Sequence, residues 1–148
     1  FGGVEHRIEL VRVKDGVRYY NDSIASSPSR TIAGLRSFPE KVILIAGGYD
    51  KHIPYDVLGP EVCAHVKTLF VNGATAQQIR KAVEDAPEYK TGCPEIVDCV
   101  DFTEAVRKAA DSAVSGDIVL MSPASAAFDQ FKNFMERGKC FKKLVMEL

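Results

Sequence analysis

No glycine-lysine phosphate loop of the GxxxxGK[ST] kind occurs in the chain, so the usual backbone cradle for the phosphates of ATP is missing from these 148 residues. Cys63, Cys93, Cys99 and Cys140 form no CxxC pair, and His6, His52 and His65 supply no HxxxH or mixed Cys/His cluster. That leaves no pattern for a zinc site or a disulfide framework, and the cysteines read as small buried hydrophobes. Charge of one sign is also lacking: 19 basic side chains face 20 acidic ones. The whole chain therefore offers no electrostatic reason to bind nucleic acid or an anionic membrane. The longest strongly apolar stretch, Val42 to Ala46, is far too short to span a bilayer, and a charged segment followed by an apolar leader is absent. A cytoplasmic, reducing location is expected. Internal repeats and low-complexity tracts are absent as well.

What remains is a globular composition, 46% hydrophobic and 26% charged. Its length suits one domain with its own core, residues 1–148. The opening Phe1-Gly2-Gly3-Val4 has no initiator methionine and runs at once into a strand-like segment, which reads as a piece of something longer.

Hydrophobic periodicity organises the rest. Ile8 to Val13 alternates apolar and polar residues, Lys14-Asp15-Gly16 is a turn signal, and Val17 to Tyr20 is again strand-like, which predicts a hairpin. Ser27-Pro28 opens a helix that carries Ile32, Leu35 and Phe38 up to Pro39. Lys41 to Ala46 and Val66 to Val71 are continuous apolar runs of the kind buried on both faces of a parallel sheet. Helical stretches follow each: one near Tyr55 to Ala64, interrupted by Gly59-Pro60, and one around Ala76 to Ala86. Glu84 to Asp98 predicts a loop with a short strand at Ile96-Val97. Asp101 and Glu104 resemble a capping box for a helix ended by Gly116, Asp117 to Met121 is the last strand, and a long helix is expected after Ala126, with Phe128, Phe131, Met135, Gly138, Phe141 and Val145 on one stripe. Alternating strands and helices of this kind define an α/β fold, a Rossmann-like three-layer sandwich with a mainly parallel sheet and an N-terminal antiparallel hairpin strand.

Ligands of open α/β sheets bind beyond the carboxyl ends of the parallel strands. Three segments should converge there: Asn21 to Ser29, Ala46 to His52 and Ser122 to Asp129. The first is rich in short polar side chains that suit an anion, or simply a capped turn. Asp22 within it could hold a ribose hydroxyl or a metal-bound water, or serve only the turn. The second pairs glycines with Lys51, a mobile charge for a carboxylate or phosphate, or a solvated lysine on a tight turn. The third sets small residues at a strand-to-helix junction, for backbone contact with a ligand or for close packing. By pattern alone Phe128, Phe131 and Phe134 belong to the core, and Arg7 is a surface charge.

The segments HRIELV, NDSIASSPS, ILIAGGYDKH and MSPASAAFDQFKNFMERG, taken in that order and spacing, resemble the carboxy-terminal domain of the Mur ligases, in the branch that adds D-glutamate. The resemblance covers Val4 to the end of the chain. It implies the amino-acid-binding domain of an enzyme whose N-terminal UDP-sugar domain and central ATPase domain are not in this chain. ATP and Mg²⁺ would be held mainly by that central domain, and the missing phosphate loop then belongs there. The implied reaction joins D-glutamate to UDP-MurNAc-L-alanine through an acyl phosphate made with ATP, so catalysis rests on positioning and preorganised charge.

The resemblance further implies that Lys51, Ser26, Ala127, Phe128 and Phe134 meet D-glutamate and that Arg7 and Asp22 reach ATP. It implies no metal ligand and no complete catalytic set within this domain, which would be inactive alone and monomeric. Two positions depart from the family pattern: Ile24 stands where many members have lysine, and Ala127 where a serine hydroxyl usually holds the amino acid. Two other readings share this fold: the equivalent domain of a sister Mur ligase or folylpolyglutamate synthase, and a non-catalytic nucleotide- or metabolite-binding module.

Overall fold

The computed structural model describes residues 4–148. The reading of Phe1, Gly2 and Gly3 as an internal start lies outside them. The chain forms β1 (Glu9–Lys14), β2 (Val17–Asn21), α1 (Pro28–Leu35), β3 (Val42–Ala46), α2 (Leu58–His65), β4 (Val66–Val71), α3 (Ala76–Glu84), β5 (Glu95–Asp98), α4 (Phe102–Ser112), β6 (Ile118–Met121) and α5 (Phe134–Met146).

The strands build one six-stranded sheet in the order β1-β2-β6-β3-β4-β5. Only β1 is antiparallel, paired to β2 as the expected hairpin. Its turn residues Asp15 and Gly16 both have positive φ, 52° and 78°, as a tight turn matched to strand twist requires.

The apolar run of β3 is buried at every position, and its alternation divides it between two layers. Val42, Leu44 and Ala46 join Leu35, Leu58, Val62, Ile79 and Val83 on the face covered by α1, α2 and α3. Ile43 and Ile45 join Phe102, Val106, Phe141 and Val145 on the face covered by α4 and α5. This is the three-layer α/β sandwich expected, with its mostly parallel sheet in the middle. β5 lies where Ile96-Val97 predicted it.

Helix boundaries differ from the sequence reading, and α1 ends at Leu35, short of Phe38 and Pro39. Gly59 and Pro60 do not interrupt α2 but fall in its first turn, where a proline's missing N–H leaves no hydrogen bond unmade. α4 stops at Ser112, not at Gly116, because Val114 N–H donates to the Asp117 carboxylate at 2.9 Å and turns the chain. The final helix starts at Phe134, seven residues after the predicted start, and Asn133 caps it by accepting from Glu136 N–H at 2.9 Å. Residues 127–133 are irregular instead. The Gln130 side chain pins them, accepting from Phe102 N–H and donating to Asn72 Oδ1, each at 2.9 Å. Phe128 is thus 63% exposed and not core, Met135 is 44% exposed, and Phe131 packs at the edge of the α4–α5 layer.

Candidate functional site

β2, β6 and β3 are neighbouring parallel strands, so their carboxyl ends deliver the three polar loops to one edge of the sheet. The loops are cross-tied. Asp22 N–H donates to Met121 O at 2.8 Å, Gly47 N–H to Pro123 O at 2.9 Å, and Tyr49 N–H to Ala126 O at 2.8 Å. A chain of hydroxyls secures the second tie. Ser125 Oγ lies 2.8 Å from both Tyr55 Oη and Thr75 Oγ1, and Thr75 Oγ1 accepts from Gly48 N–H at 3.0 Å.

The candidate residues fall into two groups. Arg7 and Asp22 line one cavity of about 480 Å³, together with Ile8, Ile24, Arg30 and Gly34. Asp22 is 3% exposed, and its oxygens accept from Ile8 N–H at 3.1 Å and Ser122 Oγ at 2.7 Å. Burial pushes its carboxyl up to about 6, against those two hydrogen bonds and the nearby Arg7 and Arg30 charges. Ile24 lies in this cavity, its N–H held by His6 O at 3.1 Å.

The second group lies on the other loops. Lys51 is exposed on the loop after β3. Two residues earlier, Tyr49 sets its ring edge-on to Phe128, with centroids 5.8 Å apart. Ala127 is buried, and its N–H has no protein acceptor among the described residues. Ser26 is half-buried on the loop after β2. Phe134, half-buried at the start of α5, stands edge-on to His6 at 5.9 Å and accepts from Ser23 Oγ at 2.6 Å through its carbonyl.

One residue that links the two groups was missed. Arg137 of α5 is 2% exposed and donates from Nε to Ser23 Oγ at 3.0 Å, from Nη2 to Ser23 O at 2.8 Å and from Nη1 to Ser125 O at 2.8 Å. It fastens the loop after β2 to the loop after β6. Burial draws its guanidinium down to about 10, with the Asp129 charge opposing, so it stays cationic at neutral pH. The sequence did carry a signal: with Phe134, Phe141 and Val145, Arg137 occupies the apolar stripe of α5.

His6, also missed, sits beside Arg7 in a buried network. The Asn21 amide donates to His6 Nδ1 at 2.9 Å and to Glu9 Oε1 at 3.0 Å, and Lys142 reaches Glu5 at 2.7 Å and Glu9 at 3.2 Å. Glu5, His6 and Glu9 bring ligand atoms within 4.8 Å of one another. Lys142 already reaches both carboxylates, and the Glu5 Oε2, Glu9 and His6 Nδ1 acceptors are engaged by protein donors, so the cluster does not fit a metal ion. His6 fits in this position because residue 138 is glycine, since a Cβ there would collide with the imidazole Nδ1.

The candidate residues thus form a cavity with a buried acid and two arginines, and beside it a second set of loops that carries Lys51 and Ala127. The family model described as "Mur ligase, glutamate ligase domain" matches residues 6–125, and the chain belongs to that family. It is 58% identical over 147 residues to the UDP-N-acetylmuramoylalanine--D-glutamate ligase of Acetivibrio thermocellus, covering 98% of this chain and 32% of that protein. The ligase of the same name from Clostridium beijerinckii is 55% identical over 149 residues, covering 100% of this chain and 32% of that protein. The chain thus spans about a third of the length of the curated relatives it matches.

Among solved structures, the fold is shared with E. coli FolC in complex with ADP, at a TM-score of 0.64 and 15% identity, covering 97% of this chain and 32% of that one. A domain from a Haemophilus ducreyi UDP-N-acetylmuramate:L-alanyl-gamma-D-glutamyl-diaminopimelate-type ligase gives a TM-score of 0.60 at 16% identity, covering 96% of each chain.

Proposed function

We propose that residues 1–148 are one domain of a longer ATP-dependent ligase that joins D-glutamate to UDP-MurNAc-L-alanine, and that this domain supplies the amino-acid site and one wall of the nucleotide site. The observation that supports it best is that the loop of Lys51 is tied to the loop that leads to Ala127 and Phe128, which Arg137 fastens in turn to the loop of Asp22 and Ser26. The names carried by its relatives supply the substrates.

Lys51 receives a carboxylate of D-glutamate, and its exposed ammonium, unpaired among the described residues, makes that contact without first breaking an internal one. Ser26 and the Ala127 N–H donate to the same ligand, while Phe128 and Phe134 wall its aliphatic part. These contacts hold the amine for attack on the activated carboxylate, which is catalysis by placement and not by proton transfer from this domain. Arg7 and Asp22 face ATP, with Asp22 accepting from ribose hydroxyls. ATP supplies the phosphoryl group that activates the L-alanine carboxylate, and Mg²⁺ is held outside this chain. The protein works in the cytoplasm as a monomer; no helix among the described residues is long and apolar enough to cross a membrane.

The test is ATP-dependent phosphate release by the full-length protein with UDP-MurNAc-L-alanine. D-glutamate should stimulate release above other amino acids, and Lys51→Ala should raise the KM for D-glutamate at least about tenfold, the worth of one charge-assisted hydrogen bond. Preference for another amino acid would transfer the assignment to a sister ligase. No stimulation by any amino acid would leave a binding module.

A further inference from the structure

The cavity of Asp22 holds a cation that its sequence context does not explain. Arg30 is the third residue of α1, whose first turn contains no acid. A positive side chain there opposes the helix dipole, which favours negative charge at this end. Arg30 nonetheless lines the cavity, as do Ser29, Ala33 and Gly34 of α1 and Ser37 just after it, together with Arg7 and Ile8 from the segment before β1.

Neither arginine forms an ion pair among the described residues. Among the described residues no carboxylate lies within ion-pair distance of Arg7 or Arg30, and neither guanidinium makes a side-chain hydrogen bond. Asp22 is the one acid of the cavity lining. Each of its oxygens already accepts a hydrogen bond, from Ile8 N–H and from Ser122 Oγ. The cavity therefore carries two guanidinium groups against one partly committed carboxylate, and a ligand that is anionic at one end and rich in hydroxyls at the other would complement it.

We propose that Arg30 is a second cationic nucleotide contact, closing on the phosphate end of a nucleoside phosphate whose ribose hydroxyls meet Asp22. The assignment rests on the nucleotide reading of this cavity. Arg7 then grips the ligand from the strand side and Arg30 from the helix side, so that α1 is a binding element and not merely a cover for the sheet. Because Arg30 is exposed and its side chain bonds to nothing among the described residues, replacing it removes a ligand contact without removing a structural one.

The experiment measures the KM for ATP in the full-length ligase, and the inhibition constants of ADP and adenosine, for wild type, Arg30→Ala, Arg30→Lys, Arg7→Ala and Asp22→Asn. Arg30→Ala should raise the KM for ATP and weaken ADP about tenfold, with adenosine inhibition and the KM for D-glutamate each moving less than about twofold. Arg30→Lys should recover part of the loss. Equal weakening of ADP and adenosine would overturn the phosphate assignment. A normal KM for ATP in Arg30→Ala, with Arg7→Ala and Asp22→Asn impaired, would overturn the role of Arg30 while leaving the nucleotide reading intact. If none of the four variants changed the KM for ATP, the nucleotide reading itself would fall.

Discussion

Asp22 is held in its pocket at an electrostatic cost, and that cost can be read out by titration. Its carboxyl is raised from the ordinary 3.8 to about 6 by burial, so the folded chain holds a proton there that the unfolded chain has already released. Between those two values the native state binds more protons than the unfolded state, and stability must fall as pH rises. At about 1.4 kcal/mol per pH unit, the wild type loses about 3 kcal/mol across the window and carries that penalty in full at pH 7 and above.

Asp22→Asn removes the titration but keeps the shape. The amide oxygen can still accept from Ile8 N–H, and the amide nitrogen can donate to Ser122 Oγ, whose own hydrogen then remains for Thr31. Urea unfolding of both proteins from pH 3.5 to 8 isolates the effect, because every other titrating group cancels in the difference. The variant should gain on the wild type by about 2–3 kcal/mol between the acid end and pH 7, and the gain should level off above it. A stability difference that stays flat with pH would refute the argument that burial dominates at Asp22.

Other substitutions separate packing from ligand contact. Gly138→Ala should destabilise the chain by about 2 kcal/mol in urea, because the new methyl group displaces His6 from its bond with Asn21. An unchanged midpoint would mean that the imidazole moves aside freely. Phe128→Ala should change stability by less than about 0.5 kcal/mol, since the side chain is 63% exposed, while raising the KM for D-glutamate in the full-length enzyme several-fold. A large loss of stability with unchanged kinetics would return Phe128 to a structural role.

The sheet was legible because its signals are local. Asp15-Gly16 announces the hairpin turn, and the unbroken run from Val42 to Ala46 announces a strand covered on both sides. The convergence of the three polar loops was legible too, since strand direction alone sends them to one edge. The start of α5 was not, because Phe128 and Phe131 extend its apolar period backwards. What stops the helix there is distant: Gln130 bonds to Phe102 and Asn72, residues far away in the chain. Asp101 was read correctly as a cap, accepting from Glu104 N–H at 2.9 Å, but Glu104 returns the bond to Val100 N–H and not to the cap residue itself. Arg137 and Arg30 escaped for related reasons. A charge on an apolar stripe and a cation in a helix's first turn both oppose local preference, and only the folded chain shows what each one faces.

Arg137 also sets what can vary independently and what cannot. A single rigid fork clamps the loop that carries Asp22 and Ser26 to the loop that leads to Ala127 and Phe128. The two sites proposed for this chain are therefore tied to one another through that fork, like two jaws cut from one block. On that proposal, movement of the chain against the rest of a longer ligase would carry both sites together, changing their distance to groups elsewhere but not the register between amino acid and nucleotide.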